Sequence, residues 1–247
     1  MGGVGTERVL TGVEGFDGLV SGGLPRGTTT LISGPSGSGK TLFALTYAYT
    51  GAVAGDPTVY LALEEPRSSL HLAMAGMGLD PKPLEQRGTL TFVDLGEVRK
   101  LSEGDEFMSF ARIESLLDGL LDATRSSRLV VDSLAVLGLN HRSPREFRRE
   151  LFKFGRYLRE RNATSLLVTE MPEGGELTRF GVEQFIADAF VVLNLERRKG
   201  ELVRSVVVRK MRFTNHDIAL HPFLVTAKGL KISSDVRLQE EDGRYRS

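Results

Sequence analysis

The sequence contains no cysteine and no tryptophan. Without cysteine there is no disulfide, no thiol nucleophile and no thiolate-held zinc. Charge of one sign is lacking too: 32 Lys and Arg offset 32 Asp and Glu. That balance argues against a wholesale polyanion binder and leaves room only for a local basic patch. No apolar run approaches the roughly 18 residues of a membrane span. Met1 to Val9 lack the apolar core of a secretory leader, which points to a cytoplasmic chain with no membrane partner. Histidine is sparse. His71, His141, His216 and His221 show no metal-ligand spacing with one another, so His71, His141 and His221 read as structural or solvated.

What is present suffices for one ordinary domain with a large core, in 247 residues of which 40% are hydrophobic. Glycine stands out, at 28 residues, against an average usage of about 7%. Twelve of the 28 fall within residues 1–39. Something near the N-terminus needs backbone without side chains. No repeat, low-complexity tract or long linker interrupts the chain.

The pattern alternates strands and helices. Residues 28–33 are β-rich and run into glycines, and 40–54 carry helical apolar spacing at Leu42, Leu45, Tyr49 and Val53. Thr58–Leu63 reads as a strand, Ser69–Met77 as a helix, Leu90–Asp94 as a strand. A helix face spans Phe107–Leu121, with apolar residues at 107, 110, 113, 117, 120 and 121. Leu129–Val131 is a buried strand. Pro144–Arg161 is a helix opened by Ser143 at the N-cap and Pro144 in the first turn. Ser165–Thr169 is another buried strand. Beyond it Phe190–Leu195, Val203–Arg209, Leu220–Thr226 and Leu230–Ser233 read as strands, with a hairpin turn near Lys199-Gly200. The expected fold is α/β: a mostly parallel sheet flanked by helices, with antiparallel strands toward the C-terminus. Residues 1–234 form one domain in this reading, and 235–247 a polar, frayed tail.

Gly34-Pro35-Ser36-Gly37-Ser38-Gly39-Lys40-Thr41 fits the phosphate-loop pattern G-x-x-x-x-G-K-[ST] without a mismatch. The glycines let backbone N–H groups curl around phosphate oxygens. The helix that follows, from Lys40 through Leu42, aims its positive end at the anion. Lys40 reaches the β- and γ-phosphates and the Thr41 hydroxyl can ligate Mg²⁺. A β-rich run before the loop and a helical pattern after it supply the context the motif needs.

Such a loop needs an acid on the magnesium side, usually an aspartate closing an apolar strand. Asp132 fits, although an aspartate there could also cap the next helix. Hydrolysis needs a group to orient or deprotonate water. Ser133 follows Asp132, so the base must come from elsewhere. Glu64 and Glu65 close the strand after the loop helix, where strand C-termini gather around a ligand. Mutual repulsion makes one of them a plausible base; the competing reading is an exposed turn before Pro66. Glu170, after Thr169, could sense a γ-phosphate or simply end its strand. No N-K-x-D guanine-reading tetrapeptide occurs, which favours ATP over GTP.

With these residues in place the chain resembles the KaiC-type ATPase domain of the RecA-like P-loop group, from about Val9 to Ser233. The resemblance extends over Arg8–Asp17, over Ser21-Gly22-Gly23-Leu24-Pro25-Arg26-Gly27, and over Arg179–Phe185 through Asp188. Its most specific part is Lys210-Met211-Arg212-Phe213-Thr214-Asn215-His216-Asp217, similar to the family's K-x-R-x-x-x-H segment. By this resemblance Glu64 and Glu65 are catalytic glutamates and Asp132 is the magnesium-side aspartate. Lys210 and Arg212 reach the γ-phosphate of ATP on a neighbouring subunit. His216 belongs to that segment by resemblance alone. The implied assembly is a homo-oligomeric ring, usually of six, with ATP at each interface and slow Mg²⁺-dependent hydrolysis. A regulatory or signalling role with a protein partner follows from the same likeness. Read on its own, the Lys210–Arg212 pair is only two alternate residues on one face of a strand, as on a solvated edge.

The chain also departs from the family. The clock member carries two such domains and phosphorylates a neighbouring Ser-Thr pair, which aligns here near Gln184-Phe185, neither a hydroxyl acceptor. Position 213 is Phe where the family often has Gly. Arg142 to Arg161 hold eight basic residues and three glutamates. With no net charge and no aromatic stacking pattern beside them, a solvated helix face opposite Phe147, Leu151, Phe154 and Leu158 is the favoured reading over a nucleic-acid surface. The expected function is thus Mg-ATP binding and hydrolysis. The alternatives are a nucleotide-gated scaffold with little turnover and a recombinase-like accessory ATPase.

Overall fold

The fold is that of a computed structural model describing residues 7–96, 109–138, 141, 143–172, 176–198 and 200–239. Phe107 of the expected helix face, Arg142 of the basic run, Gly174-Gly175, Lys199, the glycines at 2, 3 and 5, and residues 240–247 lie outside the described residues.

The central strand is β3 (Thr29–Gly34), whose six residues are all buried. It pairs in parallel with β7 (Thr164–Glu170) on one side and β8 (Ala189–Arg198) on the other. Beyond β7 the parallel order continues through β6 (Arg128–Asp132), β4 (Thr58–Ala62) and β5 (Leu90–Asp94). On the other side of β8, the strands β9 (Glu201–Met211), β10 (His221–Thr226) and β11 (Gly229–Ile232) are antiparallel. The sheet runs β11-β10-β9-β8-β3-β7-β6-β4-β5, the mostly parallel sheet with an antiparallel C-terminal flank that the sequence predicts. A separate ribbon pairs β1 (Arg8–Val9) with β2 (Leu24–Pro25).

Two apolar layers follow from the period of two along each strand. Ile32 of β3 and Val130 of β6 face one cluster, built with Phe43, Leu45 and Tyr47 of α2 (Lys40–Ala54) and Leu70 and Met74 of α3 (Arg67–Gly76). Leu31, Leu129 and Val131 face the other, built with Ile113 and Leu117 of the helix Phe110–Thr124 and Phe147, Leu151, Phe154 and Leu158 of the helix Pro144–Glu160. The basic residues of that last helix therefore lie opposite its buried stripe. Ser143 caps it as expected, its hydroxyl accepting the Glu146 N–H at 3.2 Å.

Differences from the sequence reading are mostly at ends. The helix expected over 107–121 runs from Phe110 to Thr124 and is capped by Ser109, whose hydroxyl accepts the Arg112 N–H. Short helices at Phe16–Leu19, Lys82–Gln86 and Ala135–Gly138 carry too few turns to show a period. In the β8–β9 hairpin Arg198 stands opposite Glu201 and Gly200 takes φ +90°. Within the segment expected as a tail, Leu238 N donates to Leu220 O at 2.8 Å, and the buried His221 donates from Nδ1 to Val236 O at 2.8 Å. Among the described residues no helix is long and apolar enough to cross a membrane.

Candidate functional site

The parallel strands deliver their C-terminal ends to one edge of the sheet. Gly34 stands opposite Glu170, and Ala62 opposite Asp132. Glu64 follows β4 by two residues, and the loop Gly34–Thr41 leaves β3 at the same level.

The loop's glycines have different causes. A Cβ on Gly34 would stand 2.3 Å from Leu193 O and 2.6 Å from Ser38 Oγ, so the constraint there is room. Gly37 and Gly39 take φ of +77° and +103°, where L side chains are strained. Ser38 Oγ is buried with no hydrogen-bond partner among the described residues. Backbone N–H groups of a glycine-shaped loop at a helix N-terminus suit an anion.

Lys40 folds back over the loop, its Nζ donating to Pro35 O at 3.0 Å. Burial lowers its pKa, against the pull of Asp132, Glu170 and Glu64. Thr41 Oγ1 and Tyr60 OH both donate to Asp132 Oδ2, at 3.0 and 2.7 Å. Burial raises the Asp132 carboxyl above its usual range, and those two hydrogen bonds oppose the rise. A hydroxyl and a carboxylate, both hard oxygen donors, suit Mg²⁺ held jointly with phosphates. Among the described residues no three His, Asp or Glu cluster as a self-sufficient metal site. The residues thus fit a cation that arrives with its nucleotide.

Glu64 Oε2 accepts from Ser133 Oγ at 3.0 Å. Although Glu64 is an exposed residue, desolvation of its carboxyl group raises its pKa, with the Ser133 bond opposing. Glu64, Glu65, Lys40, Thr41, Asp132 and Glu170 line one cavity of about 340 Å³. Pro35 is the second residue of the loop, and Leu42, which follows its last, also reaches that cavity.

Arg204 was not singled out by its sequence context. Its Nε and Nη2 both donate to Gly37 O at 3.2 Å, so a cation of β9 covers the phosphate loop of the same chain. Arg204 and Val225 complete the cavity wall. The only local signal was a basic residue in a strand; the contact spans 167 positions. Tyr60 and Ser133 were missed as Asp132 and Glu64 partners for the same reason.

Lys210 and Arg212 are not brought to their own loop. Met211 pairs with Ala189, which pairs with Thr30 near the start of β3, so both cations lie at the far end of the sheet from Gly34. Lys210 Nζ donates to Ala187 O at 2.5 Å and to Gln184 O at 3.4 Å. Burial, with Arg212 nearby, lowers its pKa. Arg212 pairs with Asp188 at 3.3 Å. The remaining histidines have local duties: His71 Nε2 lies 3.3 Å from Glu85, and His141 donates to Leu137 O at 2.9 Å.

Comparison with known proteins identifies the family and the fold. Residues 9–237 match the KaiC family of ATPases. A UPF0273 protein of Pyrococcus horikoshii is 34% identical over 238 residues, 93% of this chain and 95% of that one. The circadian clock protein KaiC3 of Synechocystis is 33% identical over 252 residues, and the match spans 95% of this chain but 49% of the clock protein. The crystal structure of a KaiC-like protein from Pyrococcus horikoshii superposes with a TM-score of 0.81 at 35% identity, covering 92% of this chain and 99% of that one. With its phosphate loop, its sheet order and these relatives in agreement, the chain belongs to the KaiC ATPase family.

Proposed function

We propose that the chain binds Mg-ATP in the Gly34–Thr41 loop and hydrolyses it slowly, with each site completed by a neighbouring copy in a homo-oligomeric, six-membered ring. The observation that carries the reading is the Thr41–Asp132 pair at 3.0 Å beneath an acid-lined cavity that ends in Glu64. Loop N–H groups and Lys40 hold the phosphates. Thr41 and Asp132 hold Mg²⁺, which when bound offsets charge on the phosphate oxygens. Glu64, oriented by Ser133 and backed by Glu65, takes a proton from the attacking water; desolvation raises its pKa, which makes it a stronger base than a free carboxylate. Arg204, on the same chain, covers the loop.

Lys210 and Arg212 serve the neighbour's γ-phosphate. Their distance from their own loop supports this, since cations placed there can reach a nucleotide only on another molecule. A regulatory output with a protein partner in the cytoplasm follows the clock-protein relatives rather than any feature of the site. The test is solution mass with and without Mg-ATP, coupled to phosphate release. A nucleotide-dependent increase in mass with turnover is expected, and both are lost in Lys40→Ala. ATP affinity unchanged by Lys40→Ala refutes the site. Assembly supported equally by a non-hydrolysable analogue, with no phosphate release, moves the function to a nucleotide-gated scaffold.

A further inference from the structure

Glu170 presents a difficulty. It closes β7 directly opposite Gly34, and Met171 N donates to Gly34 O at 3.0 Å, so its backbone is fixed beside the start of the phosphate loop. It lines the same cavity as Lys40 and Glu64. A bare carboxylate beside the terminal phosphate of a nucleotide repels it. The structure supplies a partner, because Arg179 Nη1 donates to Glu170 Oε2 at 2.6 Å.

An exposed ion pair contributes little to stability, and both side chains here are about 40% exposed (40% and 39%). Yet the backbone presenting Arg179 is held with unusual care. Glu183 is fully buried. Its carboxylate accepts from Thr169 Oγ1 at 3.1 Å, from Phe180 N at 3.2 Å and from Val182 N at 3.1 Å. Thr178 on the other side is also buried and donates to Gln184 Oε1 at 2.9 Å. The Phe180 ring lies 4.5 Å from that of Phe147. Thr169 is the residue before Glu170, so one buried carboxylate ties together the two segments that carry the pair. A buried charge with several donors is a costly way to hold a surface loop, and it makes sense if the residue held has a task. Desolvation raises the Glu64 pKa, and Arg179 is among the groups that oppose the rise, so its charge is felt at a second acid of the cavity besides Glu170.

We propose that Arg179 is a positioning residue that neutralises Glu170, so that the site accepts a nucleoside triphosphate in preference to the diphosphate. This rests on the ATP-site reading above. In that reading the terminal phosphate is the part of the nucleotide that enters the cavity Glu170 lines, so an unscreened Glu170 should penalise ATP more than ADP. With Arg179 in place the pair presents little net charge to the incoming phosphate, so Glu170 does not add to the repulsion from Glu64, Glu65 and Asp132 that Lys40 and the loop must offset.

The experiment measures Mg²⁺-dependent ATP and ADP affinities for the wild type, Arg179→Gln, Arg179→Lys and the double variant Arg179→Gln/Glu170→Gln. Arg179→Gln should weaken ATP about tenfold and ADP by no more than about twofold, the scale of one partly solvated charge, and the gap should narrow as salt rises. Arg179→Lys should keep most of the preference. Adding Glu170→Gln to Arg179→Gln should restore ATP affinity, which a merely misfolded loop would not allow. Equal losses for ATP and ADP, or no restoration in the double variant, overturn the proposal while leaving the ATP site intact. A wild type that binds neither nucleotide refutes the ATP-site reading itself, and this proposal with it.

Discussion

Replacing Gly34 by alanine tests whether the phosphate loop is shaped by lack of room, independently of backbone dihedral preference. Gly34 is not among the positive-φ glycines, so alanine can adopt its backbone conformation. The added methyl would instead stand 2.3 Å from Leu193 O and 2.6 Å from Ser38 Oγ. Ser38 Oγ can rotate away. Leu193 O cannot, because it belongs to β8, which is paired with β3 on one side and β9 on the other. Overpacking a rigid site costs about 1–3 kcal/mol, and a backbone neighbour puts this case near the upper end. At about 2–4 °C per kcal/mol for a chain of this size, Tm should fall by roughly 6–12 °C. Gly55→Ala is the control. Gly55 takes φ +85° at the end of α2 with nothing within 4 Å of an added Cβ. It should cost only about 1–2 kcal/mol of backbone strain and leave the loop untouched. Thermal unfolding without nucleotide and ATP binding by equilibrium dialysis measure both effects. The reasoning fails if Gly34→Ala melts no lower than Gly55→Ala and binds ATP as the wild type does.

Two further outcomes test the catalytic assignments. Glu64→Gln should keep ATP affinity and slow phosphate release by about 100-fold or more, as expected for loss of a general base; turnover within about twofold of wild type in single-turnover kinetics removes Glu64 from that role. Arg212→Ala should spare nucleotide binding and slow turnover per subunit by about 1,000-fold in the assembled protein. Because Asp188 loses its Arg212 partner while still accepting the Thr29 N–H at 3.2 Å, Tm must be measured beside it, and unchanged turnover in a variant that still assembles refutes the trans role.

What was legible in the sequence is what is local. The phosphate loop is eight consecutive residues, and each chemical requirement shows in the residue type at its own position. The strands β6 and β7 were legible because burial on both faces writes itself as a continuous apolar run, Leu129–Val131 and Leu166–Val168, and β3 because its β-rich residues run into the glycines of the loop. Helix faces were legible and helix ends less so. Periodicity located Ile113, Leu117 and Leu121, but the start at Phe110 depended on the Ser109 side chain accepting the Arg112 N–H, a signal far weaker than Ser143-Pro144. Arg204, Tyr60 and Glu183 stayed hidden for a different reason. Their roles exist only once the strand register has been set. Nothing near Arg204 announces Gly37, and nothing near Glu183 announces Thr169.

Lys210 and Arg212 are the harder case, because their surroundings are consistent with two quite different lives. A solvated strand edge explains basic residues at alternate positions. It does not explain why the Lys210 amine is drawn out of water far enough to lower its pKa, or why it is tied to the carbonyls of Ala187 and Gln184 rather than left free. Nor does it explain the exposed phenylalanines beside it: Phe185, next to Gln184, is 50% exposed, and Phe213, next to Arg212, is 68% exposed. Large apolar side chains flanking one half-buried and one exposed cation form the composition of a contact surface, with an apolar centre and a charge that steers orientation. The same two cations sit at the end of the sheet farthest from the only phosphate loop on their chain. A surface of that composition, set away from the phosphate loop of its own chain, is what the proposed contact with the acid-lined cavity of a second copy requires.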